Sequence, residues 1–181
     1  MLQITVPAGE IWDEIHEQFI YTKPTVLSLE HSLVSISKWE AKWGKPFLTK
    51  EPKTNEELLD YIRCMTLTQN VDPNIYFSLS SDNINEINKY IDDPHTATTI
   101  REDPNAPRNR EIITSELIYY WMIALNIPID ICQKWHLNRL LTLIRVCNIK
   151  NTPPKKMTQR QIMTRNAALN AARRKQLNSK G

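Results

Sequence analysis

Four histidines, three cysteines and two acidic dipeptides are the residues of this chain whose types could do chemistry. A metal held on one helical face needs two His or Cys ligands three or four residues apart. Among His16, His31, His95 and His136 no two have that spacing, and Cys132 with His136, four apart, is the nearest approach to a half-site. A packed thiol beside a half-exposed imidazole is the commoner outcome for such a pair. Asp92–Asp93 and Glu102–Asp103 could hold a divalent ion or do acid–base work. They sit in a stretch broken by Pro94, Pro104 and Pro107 with no converging catalytic set, which reads as a solvated loop.

Other chemistries need motifs that are absent. The three glycines, Gly9, Gly44 and Gly181, are too far apart to let backbone amides cradle a phosphate. No GxSxG elbow appears, and Cys64, Cys132 and Cys147 form no CxxC pair, as expected of reduced thiols in a cytoplasmic compartment. The expectation is a protein that is not an enzyme and has no metal or cofactor. The longest apolar run, Leu117 to Leu125, is nine residues, against about 20 for a membrane span. Residues 1–10 lack the basic start and apolar stretch of a signal peptide.

The elements that would position a binding surface are mostly helical. Leu2, Ile4 and Val6 alternate as in a strand, and residues 10–30 suit a small sheet or hairpin because Pro24 and β-branched residues interrupt any helical period. From Leu29 the apolar spacing changes. Leu29, Leu33, Ile36, Trp39 and Trp43 share a helical face that ends near Gly44. Thr54 with Glu57 forms a capping box ahead of Leu58, Ile62 and Met65. Asp72–Pro73 is placed as another N-cap with Pro at the first helical position, and Ser81 as the cap of a helix carrying Ile84, Ile87 and Ile91. Thr96–Ile100 and Glu111–Thr114 could pair as a hairpin around the Pro-rich loop. A helix from Thr114 or Ser115, with Leu117, Trp121, Ala124 and Leu125, is apolar on more than one side and is placed at the centre of the core. Leu137, Leu140, Leu141 and Ile144 complete a last core helix. The fold class is therefore mainly α with a small N-terminal β element.

Two domains follow: a core over residues 1–150, and a basic appendage over 151–181 behind the linker Pro153–Pro154. The chain's net charge of +3 conceals this split, for residues 151–181 carry eight Lys or Arg and no acid, whereas residues 1–150 carry 15 bases and 20 acids. Thr158 with Gln161 caps an Ala-rich helix in the appendage. Its apolar face, chiefly Ile162, Met163 and Leu169, is too thin to pack strongly. Three uses of the tail stay open: a solvated end, a grip on nucleic-acid phosphates, or docking onto an acidic helical protein. The tail has no aromatic residue to stack on bases, which weighs against nucleic acid. Partner-binding candidates are Trp39 and Trp43, a turn apart, with Arg160, Arg165, Arg173, Arg174 and Lys175 of the tail.

Four stretches resemble the tail assembly chaperones of long-tailed bacteriophages. They are LEHSLVSISKWEAKW at 29–43 with the following Lys45-Pro46-Phe47-Leu48, DYIRCMTLTQNVDP at 60–73, SELIYYWMIALNIPIDICQKWHLNRLLTLIRVCNI at 115–149, and MTRNAALNAARRKQLNSKG at 163–181. The resemblance implies a viral protein of the host cell cytoplasm. It would bind the tape measure protein, keep it soluble while tail tube protein polymerises around it, and leave before the virion is finished. A longer frameshifted form of the same chain is a further partner implied by the resemblance, and a homo-oligomer is left open. Two alternatives come from other classes: a nucleic-acid-binding regulator using the basic tail, and a minor structural tail or connector protein.

Overall fold

The computed structural model describes residues 1–13, 16–100, 111–152 and 158–177. The chain divides into two compact units, Met1–Asn148 and Ile149–Gly181. It is mainly helical with a small N-terminal β element.

That β element is one antiparallel ribbon split in two. Strands β1 (Leu2–Val6) and β4 (Thr25–Leu29) pair from Leu2↔Leu29 to Val6↔Thr25. Strands β2 (Gly9–Asp13) and β3 (Gln18–Thr22) continue the same register from Gly9↔Thr22 to Asp13↔Gln18. In that register Pro7 falls opposite Pro24. Neither has an N–H to donate, so the ladder breaks there. Alternation then buries Ile4, Val6, Leu27 and Leu29 on one face of the first half. The open edge of β4 is covered by the chain that follows the second helix, with Leu67 N donating to Ser28 O at 2.8 Å and Glu30 N to Met65 O at 2.9 Å.

Helix α1 is Leu33–Trp43, capped by Ser32 and closed by Gly44 in the left-handed region at φ 62°. Leu29 therefore ends β4 and does not open this helix. Its apolar side chain faces the same core as Leu33, which is why one periodic stripe runs through both elements. Helix α2 is Asn55–Met65 with the Thr54–Glu57 capping box in place. A 3-10 turn, Pro73–Ser78, begins at Asp72, whose side chain accepts from Asn74 N. Helix α3 is Ser81–Asp92. Its cap is Ser80, one residue before the expected Ser81, because the Asn83 side chain reaches back to Ser80 N and completes a box there.

Helix α4 is Ser115–Ala124, capped by Thr114. It lies at the edge of the core and not at its centre. Ser115, Ile118 and Met122 are buried, whereas Tyr120 and Ile123 are 62% and 63% exposed. The face expected from Leu117, Trp121, Ala124 and Leu125 is only partly covered. A short helix α5, Ile129–Cys132, leads to α6, Leu137–Asn151, and the appendage holds α7, Gln159–Leu177. The expected hairpin near 96–114 is not formed by its described flanks, since residues 96–100 and 111–114 belong to no strand. Thr96 instead accepts from Thr98 N, and Thr114 serves as a helix cap. The tip of that loop, 101–110, lies outside the described residues, as does Glu102–Asp103.

The core gathers β1, β4, α1, α2, the 3-10 turn, α3, α4 and α6 around Leu27, Leu29, Leu33, Ile36, Met65, Ile75, Ile87, Ile118, Met122 and Leu137. Glu40 is a buried polar group with a structural task. Its two carboxylate oxygens accept Phe47 N and Ser115 N, each at 2.7 Å, and so tie the end of α1 to the start of α4.

Candidate functional site

Of the two candidate tryptophan anchors, the fold removes one from the surface. Trp39 is 1% exposed and donates Nε1–H to Glu57 O at 2.9 Å, which pins α1 to α2. Trp39 is a core residue. Trp43 stacks on it with ring centroids 6.1 Å apart, is half-buried, and donates to Asp60 Oδ2 at 2.9 Å. Lys42 bridges Asp60 and Lys45 bridges Glu57 on the same side of α2. The hydrogen bond from Lys45 and the amide of Thr54 hold the Glu57 carboxyl below the usual carboxylate range. This face is a closed structural joint.

The five basic candidates are all on α7, and no residue of that helix is buried. The Thr158–Gln161 box is present in both directions at 3.0 and 3.3 Å. At 100° per residue, Arg160, Arg165, Arg173, Arg174 and Lys175 wind round the whole helix and do not line up as a stripe. They supply a diffuse positive charge.

The open apolar surface lies elsewhere, between α2 and α3. Asn55, Leu58, Leu59 and Ile62 turn one stripe of α2 toward a groove, and Ile84, Ile87, Asn88 and Ile91 turn a stripe of α3 toward it from the other side. Both stripes repeat at i, i+3, i+4 and i+7, so each is one continuous helical face. The 3-10 turn supplies Tyr76 and Phe77. The groove encloses about 370 Å³. Leu58 and Phe77 on its lips are 46% and 56% exposed. The Arg63 guanidinium lies over the rings of Tyr76 and Phe77 at 5.3 and 5.5 Å. Asn83 Nδ2 on Thr5 O and Tyr90 Oη on Glu30 Oε1 anchor the adjoining flank of α3, and the buried Ile62 and Ile87, 5% and 2% exposed, form the groove's floor. The stripes Leu58–Ile62 and Ile84–Ile87–Ile91 are legible in the sequence as core faces. Nothing local says that they stand apart. A second apolar surface missed by sequence reasoning is the outer face of β2–β3, where Trp12 and Phe19 pair at 4.8 Å beside exposed Tyr21.

No family model, curated protein or solved structure matches this chain.

The chemistry-bearing residues are drawn into packing. Cys132 ends α5, Gln133 and Lys134 turn the chain, and His136 bridges to Ser32, so Cys132 and His136 do not share a helical face. Burial pushes the Cys132 thiol up. Among the described residues no three His, Cys, Asp or Glu side chains are placed to hold a metal ion, and no helix is long and apolar enough to cross a membrane. Asp93 spends Oδ1 on the amide of His95.

Three of the histidines form a ring cluster, His31 meeting His136 edge-on and His95 lying tilted against it. His31 and His136 lie 5.1 Å apart, and His95 sits 4.1 Å from His136. His136 Nδ1 accepts Asn138 N, which leaves Nε2–H to donate to Tyr90 O at 3.0 Å. Burial, with His136 and His95 close by, lowers His31 from 6.5 to about 3. Burial also lowers His136, although the Tyr90 carbonyl, Glu30 and Asp93 oppose the shift. Below pH 6.5 the unfolded chain takes up a proton that folded His31 refuses, so stability is kept above that pH and falls as pH drops toward 3. The expected loss from His31 is about 2 kcal/mol at pH 5. Melting temperature should therefore be lower at pH 5 than at pH 7.5, and His31→Gln should flatten the slope whatever it costs at pH 7.5. A variant with the wild-type slope would show that His31 titrates normally.

Proposed function

We propose that this chain is a bacteriophage tail assembly chaperone, a non-enzymatic protein that binds the tape measure protein in the host cytoplasm and keeps it soluble until tail tube protein encloses it. The observation that carries this reading is the open apolar groove between α2 and α3, joined to the four stretches that resemble that family. A long helical client exposes an apolar stripe along its length and aggregates unless the stripe is covered. A groove with two helical walls covers such a stripe by laying it between them. The diffuse positive charge of α7 suits a role in encounter and not in register.

The test is co-expression with the tape measure protein encoded in the same genome. The client is expected in the soluble fraction only when this chain is present, and the two should co-purify after nuclease treatment. Co-purification of RNA in place of the client would favour the regulator reading through residues 151–181. Recovery of the chain from washed phage particles would favour a structural tail or connector protein. Either result would overturn the proposal.

A further inference from the structure

The groove's walls, its volume and the charge around it specify a class of partner more narrowly than an apolar surface alone. Two stripes at i, i+3, i+4 and i+7 form a trough whose complement is a third stripe of the same period. A volume of about 370 Å³ takes a few apolar side chains and not a whole helix. The occupant therefore lays one face into the groove and keeps its flanks at the mouth.

Those flanks meet negative charge. Residues 51–93, which build both walls, hold nine acids and three bases. Glu57 and Asp60 are taken up by Lys45 and Lys42 on the α1 side of α2. The other seven acids are exposed. Glu56 and Asp92 sit one helical position off the lining stripes of α2 and α3, at the groove's rims. The three bases, Arg63 over the Tyr76 and Phe77 rings, Lys53 over the Phe47 ring at 4.6 Å and the exposed Lys89, leave this stretch a net charge of −6.

We infer that the α2–α3 groove binds an amphipathic helix of another protein whose apolar stripe is flanked by lysine or arginine. An acidic helix with the same stripe meets like charge at the rims and is rejected, which gives the groove a means of choosing among helical segments. The inference rests on the client-binding reading above and narrows it to a chemistry.

The probes are two fluorescein-labelled 18-residue helical peptides with leucine at i, i+3, i+4 and i+7. One has lysine at the remaining positions and the other glutamate. Fluorescence anisotropy with the full chain should find the leucine–lysine peptide bound at least tenfold tighter than its partner, with affinity falling as salt is raised. The pair Leu58→Asp with Phe77→Ala, both exposed in the native chain, should weaken binding tenfold or more, and Tyr120→Asp on α4 should leave it unchanged. Should the groove pair perturb folding, Glu56→Lys with Asp92→Lys provides the second arm and should remove most of the lysine preference. Equal or tighter binding of the leucine–glutamate peptide overturns the inference, as does binding insensitive to both pairs of substitutions. So does a dimer of the chain itself that Phe77→Ala dissociates, since a second copy would then fill the groove. If the tape measure protein co-purifies regardless of Leu58 and Phe77, the groove assignment fails and the chaperone reading survives. If the peptides behave as expected and that protein never co-purifies, the reverse holds.

Discussion

Trp39→Ala is expected to lower stability by about 3–5 kcal/mol, the usual range for removing a large buried aromatic side chain. Trp39 is 1% exposed, packs on Phe47 with centroids 5.1 Å apart, and supports the Trp43 ring. Its truncation also leaves Glu57 O without the indole donor, a further cost where water cannot reach. Domains of this size are commonly stable by only about 5–15 kcal/mol. Much of the folded population should therefore be lost in moderate urea. Trp39→Phe keeps most of the buried area and loses the hydrogen bond, so it should fall between. Urea titrations followed by far-UV circular dichroism measure both. If Trp39→Ala kept the wild-type midpoint and lost only client binding, the ring would be a surface anchor and its burial under α2 would be wrong.

Glu40→Gln is expected to cost about 2–4 kcal/mol, close to the cost of Glu40→Ala, although glutamine is nearly isosteric. Each carboxylate oxygen accepts a main-chain N–H at 2.7 Å, one from Phe47 and one from Ser115. Glutamine has one acceptor oxygen, so its NH2 group must face the other N–H, and a buried donor is left unpaired. Hydrogen bonds to a charged group are worth about 1.5–3 kcal/mol each, and an orphaned buried donor costs a similar amount. A Gln variant within about 0.5 kcal/mol of wild type in the same titration would mean that the two amides find other partners.

Local chemistry made much of the architecture readable in advance. The capping boxes at Thr54–Glu57 and Thr158–Gln161, the Asp72–Pro73 start and the Thr114 cap each join residues no more than three apart, so they need nothing from the rest of the chain. That Pro7 ends the first strand follows from the missing N–H of proline; that it comes to lie opposite Pro24 is set by the strand pairing. Helical stripes such as Ile84–Ile87–Ile91 follow from a 3.6-residue period. Even the one-residue error at Ser80 is local, for it turns on whether Asn83 reaches back.

What the local pattern did not contain is which stripe finds a cover. Trp39 and Trp43 lie on one face with the same spacing signal, and only the position of α2 makes one core and leaves the other half-buried. Leu58 and Ile84 carry the periodicity of core residues, yet α2 and α3 stand apart and leave a groove between them. Tyr120 and Ile123 belong to the most apolar helix and face outward because α4 packs at an edge. Glu40 is buried because Ser115, 75 residues away, brings its amide against the carboxylate. Caps, turns and periods are set by hydrogen bonds and sterics within a few residues, so the sequence by itself determined them. Burial and the open groove depend on contacts between segments far apart in the chain, so only the tertiary structure decided those.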